Sequence, residues 1–468
     1  MSLRHTARGH WLEQAAPLMT EPAPPPEGDV RADVVVVGGG YTGMWCAWHL
    51  LESAPDARIV LLEADLCGHG PSGRNGGFCH GTWLSLDPLR DRLGAGPALE
   101  LARATQAGAE AIGRWCEEQG VDAWYRRGGE LRVSTTEAHD DVGLASARAA
   151  DELGVGDRLV DLTPAQVREH CDSPVFRRGV YAPDGATVHP GRLALGLRAR
   201  LIDRGVVVHE HARVLRVRGE GAAGVSVETA GARLRAGHAV LAAGGALARM
   251  PAMRGRVLVG SSHLIVTEPV PDVIEALGWG GEAISDARAF LHYTRTTDDG
   301  RIAFGWAGGR PAFGGRLRGR VEVDPAVAEA LHRHLLRWFP MLEGRAIEHA
   351  WGGPIDITPA RLPAIVQRPG GPVHAAAGYT GNGVGPAHLV GRILALLALD
   401  RRDPLTALPI VEPPGGWIPP EPLRWAGAHA VRAALLSAED AEEAGRRPSA
   451  LARTVAAAPK RFGITLGR

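Results

Sequence analysis

Three glycine triplets in this chain carry the GxGxxG spacing: Gly38, Gly40 and Gly43; Gly68, Gly70 and Gly73; and Gly219, Gly221 and Gly224. That spacing lets a backbone turn tightly, approach a pyrophosphate and bring a helix close to a strand. Only the first triplet has the context this chemistry needs. It follows a β-branched run at 34–37 and opens a helix-permissive stretch. It is answered by Glu63, twenty positions beyond Gly43, at the end of a second apolar run, 57–63. Gly38 permits the turn, and Gly40 lets the backbone meet phosphate at the positive end of the helix, with Tyr41 and Thr42 beside it. Gly43 allows close helix–strand packing, and Glu63 can accept both hydroxyls of an adenosine ribose. The third triplet lies between strand-like runs at 214–218 and 225–228 and reads as a hairpin loop.

The second triplet runs on into Arg74, Asn75, Gly76 and Gly77. Two glycines in a first turn argue against a helix there, so 67–77 (CGHGPSGRNGG) reads as a loop whose amides face something flat or anionic. The residues concerned are Gly70, Ser72, Gly73, Arg74, Asn75, Gly76 and Gly77. At this distance past Glu63 the segment resembles the flavin-contacting loop of the D-amino-acid oxidase-like FAD oxidoreductases, most closely the γ-glutamylputrescine oxidase-like branch. Three further segments carry the resemblance. Residues 238–245 (HAVLAAGG) look like the strand returning to the cofactor, with Ala243 and Gly244 against it. Residues 206–217 look like the strand whose Val214 backbone meets the adenine. Residues 378–392 (GYTGNGVGPAHLVGR) look like the family's last glycine-rich loop and helix, with Gly381, Asn382, Gly383 and Val384 at the flavin. The resemblance covers most of 31–410 and is weakest in the inserted sheet.

It implies FAD as cofactor and oxidation of the C–N bond of a primary or secondary amine or an amino acid. The amine would bind as the free base and lose a hydride to flavin N5, and water would hydrolyse the imine to an aldehyde or keto product. Candidate catalytic residues are His80, Tyr293, Tyr379 and Asn382; candidate substrate-binding residues are Trp83, Arg295, Trp306 and Trp351, and Cys79 adjoins the first loop. Each has a competing structural role. His80 can be packed or bonded in a turn, the tryptophans can be core, and Arg295 can sit in a surface ion pair. Some relatives attach FAD through a cysteine near the last strand or a histidine in the first loop. Residues 351–359 hold no cysteine and Arg74 stands at the loop position, so noncovalent FAD is expected. The only lysine is Lys460, which removes both a core Schiff-base lysine and the oxygen-activating lysine of sarcosine oxidase-like members. Oxygen and another electron acceptor therefore both stand open. So do two alternative readings: a dehydrogenase using a carrier, and an FAD-bound non-catalytic interaction protein. The substrate is equally open among glycine-like amino acids, polyamine derivatives and aminoalkylphosphonates.

Other chemistries fail. Monoamine oxidase-like enzymes place GGR just after the acidic strand end, whereas Glu63 is followed by Ala64, Asp65, Leu66 and Cys67. The GD pair of hydroxylase flavoproteins is absent before the last helix, and no second dinucleotide fingerprint exists; NAD as sole cofactor is a minor alternative. His209 and His211 share a strand face without a third ligand, so no metal is expected. The GxSxG elbow of serine hydrolases is missing.

These residues need elements to position them. A chain of 468 residues suggests two or three domains. The expected class is α/β: an FAD-binding, Rossmann-like βαβ domain with a parallel sheet, interleaved with a mostly antiparallel substrate sheet. Helices are expected at 88–119, 190–204 and 325–339, and strands at 130–134, 179–181, 257–267, 290–294 and 301–306. The expected division gives residues 1–30 to an extended arm with little structure of its own. Segments 31–95, 160–250 and 350–411 bind FAD, and segments 96–159 and 251–349 bind substrate. Residues 412–468 form a Pro-rich segment and a helical tail. Balanced charges, 52 basic against 52 acidic, give no field for nucleic acid. Five cysteines without CxxC spacing fit neither a zinc ribbon nor a disulfide scaffold, and the absence of a signal-peptide pattern points to the cytoplasm. The uncharged stretch 34–51 reads as strand, turn and buried helix, not as an integral membrane span. Oligomeric state is unknown from sequence.

Overall fold

The structure is a computed structural model, and it describes residues 4–5, 8–367, 371–412 and 416–465. Its centre is a six-stranded sheet in the order Val207–His209, Ile59–Leu62, Val34–Val37, His238–Leu241, Val373–Ala377, Ala364–Gln367. The first five strands run parallel and the last is antiparallel. Val34, Val35 and Val36 are buried, as are all four residues of Ile59–Leu62, so both faces are covered and the unbroken apolar runs are accounted for. Helix Tyr41–Ser53 starts within the first glycine triplet, after Gly40, and packs against Val384–Ala398; the indoles of Trp45 and Trp115 meet edge to face at 5.0 Å.

A second, nine-stranded sheet is mostly antiparallel, and its longest strands, Leu258–Thr267 and Ile347–Ile357, pair along ten residues of register. Helix Pro325–Trp338 backs it, capped by the Asp324 carboxylate accepting from the Ala326 amide at 3.2 Å. The third glycine triplet is a hairpin loop between the antiparallel strands Arg216–Gly219 and Val225–Glu228.

Several expectations are corrected. The arm is not extended throughout: His10–Gln14 is a helix with Trp11 fully buried, Arg4–His5 pairs with Ile347–Ile357, and Gly28–Arg31 pairs with Ala232–Ala236. Burial of the indole supplies the order that the Pro-rich composition does not. Strands Val160–Leu162 and Gly179–Ala182, expected with the cofactor segments, join the nine-stranded sheet. The helix expected at 88–119 is two, Leu86–Leu93 and Ala95–Glu118, and the second packs its Leu101, Ile112 and Trp115 into the core of the parallel sheet. The strand expected at 206–217 breaks after His209, because Ala212 and His211 turn back to bond Glu63 and Asp65. Residues 413–415 of the Pro-rich segment, and 1–3, 6–7 and 466–468, lie outside the described residues. The helical tail comprises Leu423–Glu443 and Ala450–Ala457. Among the described residues no helix is long and apolar enough to cross a membrane.

Candidate active site

The dinucleotide cradle forms where the parallel sheet turns into its first helix. Gly38 has φ +113°, and a Cβ there would lie 2.4 Å from the Ala242 carbonyl oxygen; one at Gly43 would lie 1.9 Å from the Gly38 oxygen. Both glycines are demanded by this packing, which brings the return strand and its Ala243–Gly244 turn beside the first loop. Glu63 accepts from the Gly39 amide at 2.7 Å and the Asp65 amide at 2.8 Å, and its carboxyl is raised by burial. Each of its oxygens retains an acceptor site for a ribose hydroxyl. Of the two residues between the glycines, Tyr41 is turned inward, its hydroxyl donating to the Pro190 carbonyl at 2.8 Å. Thr42 shares a 2.5 Å hydrogen bond with the Tyr379 hydroxyl. Val214 is partly buried, packed against the adjoining core.

The loop after Glu63 is organised by its own side chains. Asn75 accepts from Gly77 N at 2.8 Å and donates to the Ser72 carbonyl at 2.7 Å, while Ser72 Oγ accepts from Tyr41 N at 2.9 Å. Gly70, like Gly381 in the last loop, has nothing within 4 Å of where a Cβ would stand, so backbone faces open space in both loops. Together with the ribose acceptor and the glycine-lined helix start, these open backbones fit a dinucleotide. Gly73, Arg74 and Gly76 complete the loop. Arg74 pairs with Glu322 at 2.9 Å, and Gly76 lies against the Tyr293 ring.

A cavity of about 540 Å³ opens from this loop. His80, Tyr293, Tyr379 and Asn382 line it together, along with Arg74, Asn75, Gly76, Gly381 and Val384. His80 Nδ1 lies 2.8 Å from the Gly81 carbonyl and 3.2 Å from the Glu130 carboxylate. Both partners accept, so Nδ1 carries a proton and Nε2 is the basic ring nitrogen. Tyr293 shares a 2.7 Å hydrogen bond with Ser262, and burial raises the hydroxyls of both Tyr293 and Tyr379. Gly383 caps the helix that starts at Val384.

The four residues expected to bind substrate do not line the cavity, and each is held elsewhere by packing. Trp83 is in the core around the parallel sheet. Trp306 stacks on His292 at 5.8 Å, on the sheet face covered by helix Pro325–Trp338. Trp351 lies under the flavin-type loop, donating to the Arg74 carbonyl at 2.9 Å. Arg295 is 2 % exposed, against Trp11 and behind Gly77, with Nε and Nη2 lacking partners; burial lowers it to about 10. It is therefore not in a surface ion pair. Cys79 is fully buried, its thiol on the Ala109 carbonyl, and burial raises its pKa. No group of three or more His, Cys, Asp or Glu side chains among the described residues could hold a metal.

Sequence reasoning missed two contributors. Trp11, from the arm, donates to the Asn75 carbonyl at 2.8 Å. The tail supplies a whole wall: Leu423, Gly427, Val431 and Leu435, four apart on one helix face, line the cavity with Phe462 and Ile464. The apolar stripe was legible, but nothing in it distinguished a cavity wall from ordinary packing.

The comparisons agree with this geometry. Residues 33–397 match the family model for FAD dependent oxidoreductases (DAO). The γ-glutamylputrescine oxidoreductase of Escherichia coli (strain K12) is 30 % identical over 397 residues, 83 % of this chain and 89 % of that protein. A probable oxidoreductase OrdL of Rhizobium meliloti (strain 1021) is 29 % identical over 395 residues, again 83 % and 89 %. In fold, glycine oxidase from Geobacillus kaustophilus superposes with a TM-score of 0.68 at 22 % identity, covering 82 % of this chain and 98 % of that one. With the parallel sheet, the inserted antiparallel sheet and the glycine cradle between them, the chain belongs to the DAO family of FAD-dependent oxidoreductases.

Proposed function

We propose that the protein oxidises the C–N bond of a primary or secondary amine or an amino acid, yielding an imine that hydrolyses to an aldehyde or keto compound. The observation carrying this reading is that His80, Tyr293, Tyr379 and Asn382 converge with the flavin-type loop on one cavity. Relatives in fold and sequence are named for amine and amino-acid oxidation, including a γ-glutamylputrescine oxidoreductase and an iminodiacetate oxidase.

FAD, when bound, supplies the two-electron acceptor. The chain's residues do the rest. Glu63 and the amides around Gly38–Gly43 would hold the dinucleotide, and the 67–77 and 379–384 loops would face its flavin. His80, with Nδ1 committed to Gly81 and Glu130, takes the proton from the ammonium form, so that the amine reacts as the free base. Tyr293 and Tyr379, fixed by Ser262 and Thr42, orient the substrate. The apolar tail wall excludes water from the reacting carbon.

FAD is held noncovalently in this reading: Arg74 occupies the loop position and Cys79 is enclosed in the core. Five buried cysteines, all free, fit a reducing compartment, the cytoplasm. A second reading concerns the acceptor. Lys460 is exposed and absent from the cavity lining, which favours a dehydrogenase that passes electrons to a carrier.

Anaerobic mixing of the yellow protein with an amine panel tests both readings. Bleaching by an amine is expected, and slow or absent recovery of colour in air identifies the dehydrogenase. A colourless protein releasing no flavin on denaturation overturns the whole assignment.

A further inference from the structure

The cavity lining carries six arginines against one carboxylate, Glu130. Three of the arginines are engaged elsewhere: Arg74 by Glu322 at 2.9 Å, Arg424 by Glu421 at 3.0 Å, and Arg432 by the carbonyls of Gly308 and Gly309. Glu130 lies 3.2 Å from His80 Nδ1 and its charge also acts on Arg132. The other three, Arg92, Arg132 and Arg361, stand where helix Leu86–Leu93, strand Glu130–Val133 and the turn at 358–362 meet the end of the chain. Arg92 donates to the Thr465 hydroxyl at 3.0 Å, and the Thr465 amide donates to the Pro359 carbonyl at 2.8 Å, so the tail ties these walls together.

Neither Arg132 nor Arg361 has a carboxylate partner among the described residues. Arg132 gives one N–H to the Leu84 carbonyl, and its Nε is buried without an acceptor. The Arg361 guanidinium makes no hydrogen bond or ion pair there, although it lines the cavity and is partly buried. Burial depresses both; the charges of Glu130 and Asp286 oppose this at Arg132, whereas the charge of Arg132 adds to the depression of Arg361. With one carboxylate in the lining beside these two guanidinium groups, the pair leaves positive charge that a bound anion would offset.

We propose that Arg361 and Arg132 form an acid-binding subsite, so that the amine oxidised here carries a carboxylate or similar anion on its non-reacting arm. The proposal rests on the amine-oxidising reading for what the substrate does, though not for what the subsite binds. The arm between the amine and the acid would run along the tail wall of Leu423, Val431 and Leu435, which lies outside the family-matched residues 33–397. The planar guanidinium fork suits carboxylate, and an unpartnered one has its donors free for it.

Two measurements on the full-length holoenzyme test this. In the first, glutarate serves as a non-reacting dicarboxylate probe. It should raise the Tm of the wild type, and the shift should vanish in Arg361→Met and return in part in Arg361→Lys; an equal shift in wild type and Arg361→Met overturns the subsite. In the second, linear ω-amino acids are compared with alkylamines of the same length by anaerobic bleaching. The wild-type preference for the acid member should collapse about 10- to 100-fold in Arg361→Met, mainly through KM, as expected for one charge-assisted pair. A wild type indifferent to the acid group overturns the proposal. If no amine bleaches the flavin while glutarate still binds through Arg361, the amine-oxidising reading fails and the subsite stands. An unchanged flavin spectrum in each variant shows that the fold is retained.

Discussion

Trp11 and Trp351 meet edge to face at 5.5 Å and donate their indole N–H groups to consecutive carbonyls, Asn75 and Arg74, of the loop that faces the flavin. One comes from the N-terminal arm and the other from the longest strand of the antiparallel sheet. Loop 67–77 is thereby braced from the N-terminal arm on one side and the antiparallel sheet on the other.

Replacing either indole by phenyl removes the donor and leaves a buried carbonyl unpaired. Trp11→Phe is expected to cost about 1–3 kcal/mol of stability. Because the carbonyl belongs to the flavin loop, FAD should also dissociate more readily. Thermal unfolding together with flavin retained after dialysis checks this; a variant that loses stability but keeps FAD as tightly as wild type would show that the brace serves the fold alone.

His80 gives a second prediction. In the proposed reaction His80, with Nδ1 held at Gly81, takes up the proton of the bound ammonium. His80→Gln should lower kcat/KM by about 100-fold, the low end for a general base. The loss should shrink as pH rises, since the free amine then arrives already deprotonated. A loss constant across pH would assign His80 to packing.

How legible was the site? The cradle was readable because its glycines answer to local backbone needs: Gly38 against Ala242 and Gly43 against Gly38 leave no room for a Cβ. The aromatic residues were not. The antiparallel sheet is enclosed on both faces, by helix Pro325–Trp338 on one and by the cavity and loop on the other, so period-2 alternation places apolar residues on each without naming the face. Trp306 therefore turned to His292 and His334, while its neighbour Ala307 reached the cavity. Trp351 shares a face with Gly353, Ile355 and Ile357, which line the cavity, but sits one step earlier, where the loop lies on it. Trp11 was illegible for another reason: a Pro-rich arm carries no pattern that reveals a long-range indole contact.

Acid should destabilise the protein through its buried histidines. Burial holds His10, His189 and His334 down to about 3 and His374 to about 4. Between those values and the ordinary 6.5, the unfolded chain binds protons that the folded chain refuses, so stability is complete above about pH 6.5 and falls as pH drops toward 3. Each histidine contributes a slope of up to about 1.4 kcal/mol per pH unit. Asp356 works the other way: burial lifts it to about 6, so its contribution is present at low pH and fades as pH rises through 6. Four histidines outweigh one aspartate, and Tm should fall steadily from pH 6.5 to 4. A flat profile over that range would mean the histidines titrate normally in the native state.

The tail wall gives the last prediction. Helix Leu423–Glu443 is fastened near its C-terminal end, where Glu439 accepts from the Ala289 amide at 2.8 Å and Glu443 pairs with Arg288 at 2.7 Å. Arg432 adds bonds to Gly308 and Gly309 one turn beyond Ala428. Val431 and Leu435 project from this anchored stretch into the cavity, whereas Leu423 at the other end is 66 % exposed. The wall is therefore rigid beside Val431, and added bulk there must take volume from the chamber rather than push the helix away. Val431→Trp is expected to lower kcat/KM for long-armed amines about 10- to 100-fold more than for glycine-sized ones, the range a misfit in an apolar pocket produces. Glu439→Ala, which leaves the Ala289 amide unpaired, should loosen the same wall and erase that size discrimination rather than invert it. Kinetics across a homologous amine series, with both variants run beside wild type, decide the matter. Equal losses for short and long amines in Val431→Trp would remove the tail from the substrate's path and leave it a structural cover.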